Sequence, residues 1–187
     1  MDSARPKSRR HTLVVLVEDH PGVLNRVVSL LRRRSFNIHT ITVGASEQPG
    51  ISRMTLVVEG DAQDVEQAGK QLYKLMEVLK VTDITDTNSI SHELVLVKVA
   101  TKAQNRQEVM LAGQIYDAKF VDATPSSLIM EVTGSPERID SFLNMVKPYG
   151  IRELVRTGPV AMSRGGGTVQ IRDGRIERAN GVAAAAD

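Results

Sequence analysis

Residues Val15 to Leu31, VLVEDHPGVLNRVVSLL, pass from one apolar run through Asp19, His20, Pro21 and Gly22 into a second apolar pattern of different period. The first run suits a strand and the second a helix, so the chain must turn from strand to helix within four residues. A proline with fixed φ and a glycine without Cβ suit that turn. It leaves the first amides of the helix, those of Gly22, Val23 and Leu24, without intrahelical acceptors, and the helix dipole adds partial positive charge there. Such a place suits a small carboxylate. Asp19 stands just before it, where a side-chain carboxylate can receive an ammonium group, so the two ends of one α-amino acid can be held within a few residues. The alternative is that Asp19 simply caps the helix.

Leu13 to Val17 is an unbroken apolar run, the pattern of a strand covered on both faces. Val23, Leu24, Val27, Val28, Leu30 and Leu31 then mark one buried helix face, and Arg32, Arg33 and Arg34 end the helix with charge that complements its dipole. Asn37 to Ala45 alternates as a second strand, with Ile41, Val43 and His39 on one face and Ile38, Thr40 and Thr42 on the other. Ser46 to Gly50, containing Pro49, is a turn, after which Met54, Leu56 and Val58 alternate in a third strand. Gly60 and Asp61 open a second helix carrying Val65, Ala68, Leu72, Leu75 and Met76 at helical spacing, and Val78 to Thr85 forms a fourth strand. The order is βαββαβ, which gives an antiparallel sheet with two helices on one face.

After a polar joint, Asp86 to Ser91, the order repeats. His92 to Ala100 is a strand, Asn105 to Asp117 a helix, and Lys119 to Ala123 with Leu128 to Thr133 a hairpin around Thr124, Pro125 and Ser126. Ser135 is an N-cap followed by Pro136 at the first helical position, with Ile139, Phe142, Leu143 and Val146 as that helix's buried face. A last strand runs from about Ile151 to Thr157. The expected fold class is α+β, two tandem ferredoxin-like βαββαβ units. The expected division is a disordered leader 1–10, a first domain 11–86, a linker 87–91, a second domain 92–164 and a disordered tail 165–187.

Across 187 residues, 25% charged residues with a formal net charge of +2 demand neither nucleic acid nor membrane. The absence of cysteine excludes disulfides, thiol nucleophiles and thiolate metal sites, and fits a reducing cytoplasm. His11, His20, His39 and His92 have no spacing that places two on one helix face, and no metalloprotease, nucleophile-elbow or phosphate-loop motif occurs. No catalytic residue and no metal ligand is therefore assigned. No apolar run approaches the roughly 18 residues of a membrane span. The order βαββαβ is also that of an RNA-recognition fold, and the sequence pI is about 9.0. That fold stacks bases on aromatics of its central strands, and Leu13 to Val17 and Met54 to Val58 contain none. An acylphosphatase-like enzyme would need an arginine-bearing anion loop, whereas Asp19 makes this turn acidic.

EDHPGVLNRVVSLLRRRSFNI, the SRMT of Ser52 to Thr55, KQLYKL of Lys70 to Leu75, LVKV of Leu96 to Val99 and RTGPVAMSRG of Arg156 to Gly165 together resemble the small subunits of acetolactate synthase (acetohydroxyacid synthase), over roughly His11 to Gly165. The first half resembles an ACT domain, an amino-acid-sensing module, and the second an ACT-like domain. The resemblance implies a noncatalytic, cytoplasmic regulatory chain of branched-chain amino acid biosynthesis. Its partner would be a large catalytic subunit that uses thiamine diphosphate, magnesium and FAD, with no cofactor in this chain. The small chain would raise that subunit's activity and confer feedback inhibition by valine, bound where two ACT domains pair as a homodimer. Carried over by motif position, the valine contacts are Asp19, Gly22, Val23 and Leu24 at the turn and Asn37 and Ile38 at the start of the second strand. Bacterial members of the family often have asparagine where this chain has Asp19, which leaves leucine or isoleucine open as effectors. A freestanding ACT-type sensor of another enzyme is the alternative function, and an RNA-binding protein a more distant one.

Overall fold

The computed structural model describes residues 9–165 and 177–178. Its chain divides into two units, one of the described residues up to Ile90 together with those from Ala161 on, the other Ser91–Val160. The first unit, expected over 11–86, thus also takes in chain from Ala161 on, part of which was expected in the second domain.

In the first unit the elements are β1 (Arg9–Glu18), α1 (Val23–Arg33), β2 (Asn37–Ala45), β3 (Ile51–Gly60), α2 (Ala62–Leu72) and β4 (Val78–Asp83). β1 pairs antiparallel with β3 and β4, and β3 with β2. Leu13, Val15 and Val17 of β1 and Met54, Leu56 and Val58 of β3 pack with Val23, Val27, Leu30 and Leu31 of α1 and Val65, Ala68 and Leu72 of α2. Each valine, leucine or methionine among them contributes about 1.5 to 3 kcal/mol when fully buried. The unbroken apolar run is explained by the other face, where Val14 and Leu16 are also buried. There Val14 packs with Ile84 and with Ala161 of β9 (Val160–Ser163).

β1 starts at Arg9, so Arg9 and Arg10 belong to a strand and not to a leader; Arg9 is held by Asp86, at 2.9 Å from Nη1 to Oδ1. The leader expectation for 1–8 and the tail expectation for 166–176 and 179–187 lie outside the described residues. Within the expected tail, the backbone of β10 (Glu177–Arg178) pairs in parallel with β4, giving the strand order β10-β4-β1-β3-β2. α2 stops at Leu72, and Met76, expected on its buried face, is 94% exposed, because a tight turn follows in which the Val78 amide donates to the Leu75 carbonyl. Ile38 is likewise displaced from its expected face. A bulge at His39 adds one residue to β2, so Ile38, opposite Val58, joins Ile41 against the core.

The second unit repeats the plan with β5 (Ser89–Ala100), α3 (Arg106–Ile115), β6 (Lys119–Thr124), β7 (Ser127–Gly134), α4 (Pro136–Val146) and β8 (Ile151–Arg156), in sheet order β6-β7-β5-β8. Here β5 takes in Ser89 to Ser91 of the expected linker. Val95, Val97, Val99, Leu128, Met130, Val132, Val109, Ile139, Phe142 and Val146 form its core. The Ser135 hydroxyl accepts from the Arg138 amide at 3.3 Å, with Pro136 in the first turn, as the sequence indicates. The first helices of both units end alike. Ser35 and Asp117 take positive φ, while the amides of Phe36 and Ala118 reach back to the carbonyls of Leu31 and Gly113.

Candidate functional site

β1 ends at Glu18, whose amide donates to the Glu77 carbonyl at 2.9 Å, and the next amide, of Asp19, donates to the Gly50 carbonyl at 2.8 Å. The turn is thereby pinned between the β2–β3 connection and the segment entering β4. Gly22 then caps α1 with φ 92° and ψ −11°, a left-handed conformation that glycine adopts freely. No side chain caps this helix, so Asp19 does not take the capping role that was its alternative reading. The Val23 amide lies 3.4 Å from the His20 carbonyl and the Arg26 amide donates to Gly22 at 3.0 Å. The amides of Gly22 and Leu24 have no backbone acceptor among the described residues.

Asp19, His20, Pro21, Gly22 and Leu24 are exposed around these amides. The Val23 side chain is only 3% exposed and belongs to the core, and its amide, expected to lack an acceptor, already donates to the His20 carbonyl three residues back, which leaves the amides of Gly22 and Leu24 as the open donors. Leu24, at 45% exposure, supplies apolar surface beside the turn. His20 Nε2 lies 3.4 Å from Glu18 Oε2, and Arg26 pairs with Glu77 at 2.6 Å. The turn therefore presents amide donors to an anion and, close by, the carboxylate of Asp19 to a cation.

Asn37 and Ile38 lie elsewhere. Asn37 is exposed at the start of β2, with Nδ2 donating to Glu59 Oε2 at 3.1 Å, and Ile38 is half buried against the core. Glu59 is opposite both Asn37 and Arg10, at the far end of β1 from Asp19. A single chain thus brings together Asp19, Gly22, Val23 and Leu24 and leaves Asn37 and Ile38 at the other end of the sheet. Among the described residues β2 is the outermost strand in the order, with one side open to pairing.

Sequence reasoning missed Gly50, Glu77 and Arg26. Gly50 follows Pro49 and takes φ 77°, a signal for a turn but not for contact with Asp19. Nothing local marks Glu77. Of the histidines, His11 is buried and the other three are exposed. Among the described residues no three His, Cys, Asp or Glu side chains are grouped to hold a metal ion. None of their helices is long and apolar enough to cross a membrane.

Residues 92–165 match the family described as the small subunit of acetolactate synthase, and residues 13–80 match the AHAS small subunit-like ACT domain. The chain is 49% identical to the "probable acetolactate synthase small subunit" of Archaeoglobus fulgidus, over 83% of its own length and 98% of the relative's. It is 48% identical to the acetolactate synthase small subunit of Mycolicibacterium smegmatis, over 83% of this chain and 91% of that one. The crystal structure of the small subunit from Thermotoga maritima superposes with a TM-score of 0.79 at 40% identity, covering 84% of this chain and 98% of the other.

Proposed function

The chain belongs to the family of acetolactate synthase small subunits, and from that premise we propose that it is a noncatalytic regulatory chain whose turn at Asp19 to Leu24 binds a small amino acid, valine foremost. The observation that carries the reading is the left-handed Gly22, which leaves amides of the turn without backbone acceptors beside the exposed Asp19. The amides take the effector's carboxylate, Asp19 its ammonium group, and Leu24 lies against its side chain.

Asn37 completes the site from a second copy. Antiparallel pairing of two β2 edges about Ile41 would set Asn37 of one copy opposite Ala45 of the other, and Ala45 faces Ser52, two residues from Gly50. The effector then bridges a homodimer. The partner in function is a catalytic large subunit, which carries the thiamine diphosphate, magnesium and FAD and which this chain activates in the cytoplasm.

The test is to mix the purified chain with the large subunit of its host and assay acetolactate formation with and without valine. The chain alone makes no acetolactate, the mixture exceeds the large subunit alone, and valine lowers the mixture's rate. An unchanged rate on mixing would leave the chain as a sensor for some other protein. Activation without any response to valine would remove the effector assignment only.

A further inference from the structure

The β2–β3 connection that holds Asp19 also leads to a second contact. Gly50 accepts the Asp19 amide, and three residues further along, Arg53 extends a half-buried side chain whose Nη2 donates to the Ala161 carbonyl at 2.8 Å. Burial pushes the Arg53 guanidinium below its ordinary pKa, and Glu47 in the same connection partly restores it. Ala161 is the first residue of the first unit after the chain leaves Ser91–Val160. It packs on Val14 and Ile84, on the side of β1 away from the helices, and the Arg164 amide donates to the Asn88 carbonyl at 2.7 Å. Residues 161–165 are thus a strap laid on the sheet that carries the turn. A half-buried cation is a costly way to hold a strap to which an apolar side chain would also adhere, because its desolvation is offset only by one carbonyl bond and the nearby charge of Glu47.

We propose that Arg53 and the strap 161–165, where the chain re-enters the first unit, relay the state of the turn, so that occupancy of the turn, read through Gly50 to Arg53, alters the hold on the strap and with it the large subunit's activity. This rests on the effector reading given above. Arg53 is a positioning residue here and touches no effector.

The experiment uses the complex of this chain with its large subunit, and valine as the probe. Arg53→Met is expected to leave valine affinity within about threefold of the unsubstituted chain by calorimetry. It should also leave activation without valine intact, yet leave at least half of the activity at saturating valine. Arg53→Lys, which keeps a donor, should restore part of the inhibition. Equal residual activity in Arg53→Met and unsubstituted complexes would overturn the coupling while leaving the effector site standing. Should Arg53→Met fail to fold, hydrogen exchange of the unsubstituted complex decides. Valine should slow the amides of residues 50–53 and of 161–165 together, and an effect confined to the turn would overturn the coupling. Failure of the unsubstituted chain to bind valine would overturn the effector reading and the coupling together.

Discussion

Asn37 and Asp19 stand at opposite ends of one sheet. Asn37 shares the register of Glu59 with Arg10, and Arg10 precedes Asp19 by about nine residues of extended chain, roughly 30 Å at about 3.3 Å per residue. No one effector molecule spans that distance, so a site using both residues draws them from two chains.

If the site is shared in this way, effector binding and pairing are linked by mass action. Valine titrated into the dilute chain should shift its sedimentation from monomer toward dimer. Asn37→Ala should raise the valine needed for half inhibition by up to about tenfold, the value of one polar contact of about 0.5 to 1.5 kcal/mol. Unchanged valine affinity in a monomer held apart by dilution would sink the shared site.

Gly22 separates shape from charge. A Cβ built there meets nothing within 4 Å, so Gly22→Ala carries mainly the left-handed backbone penalty of about 1 to 2 kcal/mol. Gly22→Asp adds a carboxylate beside the effector's own, a repulsion of about 4 kcal/mol at about 4 Å near a surface before screening. Both variants should still activate the large subunit. Alanine should weaken valine inhibition and aspartate abolish it; equal inhibition of the aspartate and unsubstituted complexes would place the effector elsewhere.

In the second unit, Arg156 holds Glu93, which is only 4% exposed, and also reaches Asp140 at 2.7 Å. Arg156→Met strands the buried carboxylate, a loss of about 3 to 5 kcal/mol. Thermal unfolding should shift down by more than about 10 °C for a unit of this size. Adding Glu93→Gln should recover part of the loss; a double variant as unstable as the sum of the singles would show that the pair is not coupled.

Lys98 Nζ donates to Glu153 Oε2 at 2.7 Å, and this hydrogen bond, with the lysine charge behind it, holds that carboxyl below the ordinary glutamate range. A depressed folded pKa means that the pair's contribution is present above the unfolded value of about 4.3 and fades as pH falls through the folded one. Side-chain carbon NMR should show the low midpoint, and Lys98→Met should return it to the ordinary range. The unfolding midpoint should hardly change, since the pair is exposed to solvent. A Glu153 midpoint indifferent to Lys98→Met would contradict the geometry.

The order of elements was legible because each rests on local physics. Alternation and apolar runs mark strands, a 3.6-residue period marks α1, and Ser135 with Pro136 marks the start of α4. The turn at Gly22 was legible for the same reason, since its chemistry is contained within four residues. The remaining features depend on contacts between residues far apart in sequence. Ile38 changed faces because pairing with β3 placed a bulge at His39, and no alternation pattern carries a pairing register. Asp19 lost its capping role to a backbone conformation, with its amide taken by Gly50 thirty-one residues away. The sequence by itself therefore determined two βαββαβ units and a strand-to-helix turn at Gly22 that exposes amide donors beside Asp19. Only the tertiary structure decided that Asn37 lies at the far end of the sheet and that Ala161 returns to Val14, because strand register and chain return are long-range choices that no local pattern encodes.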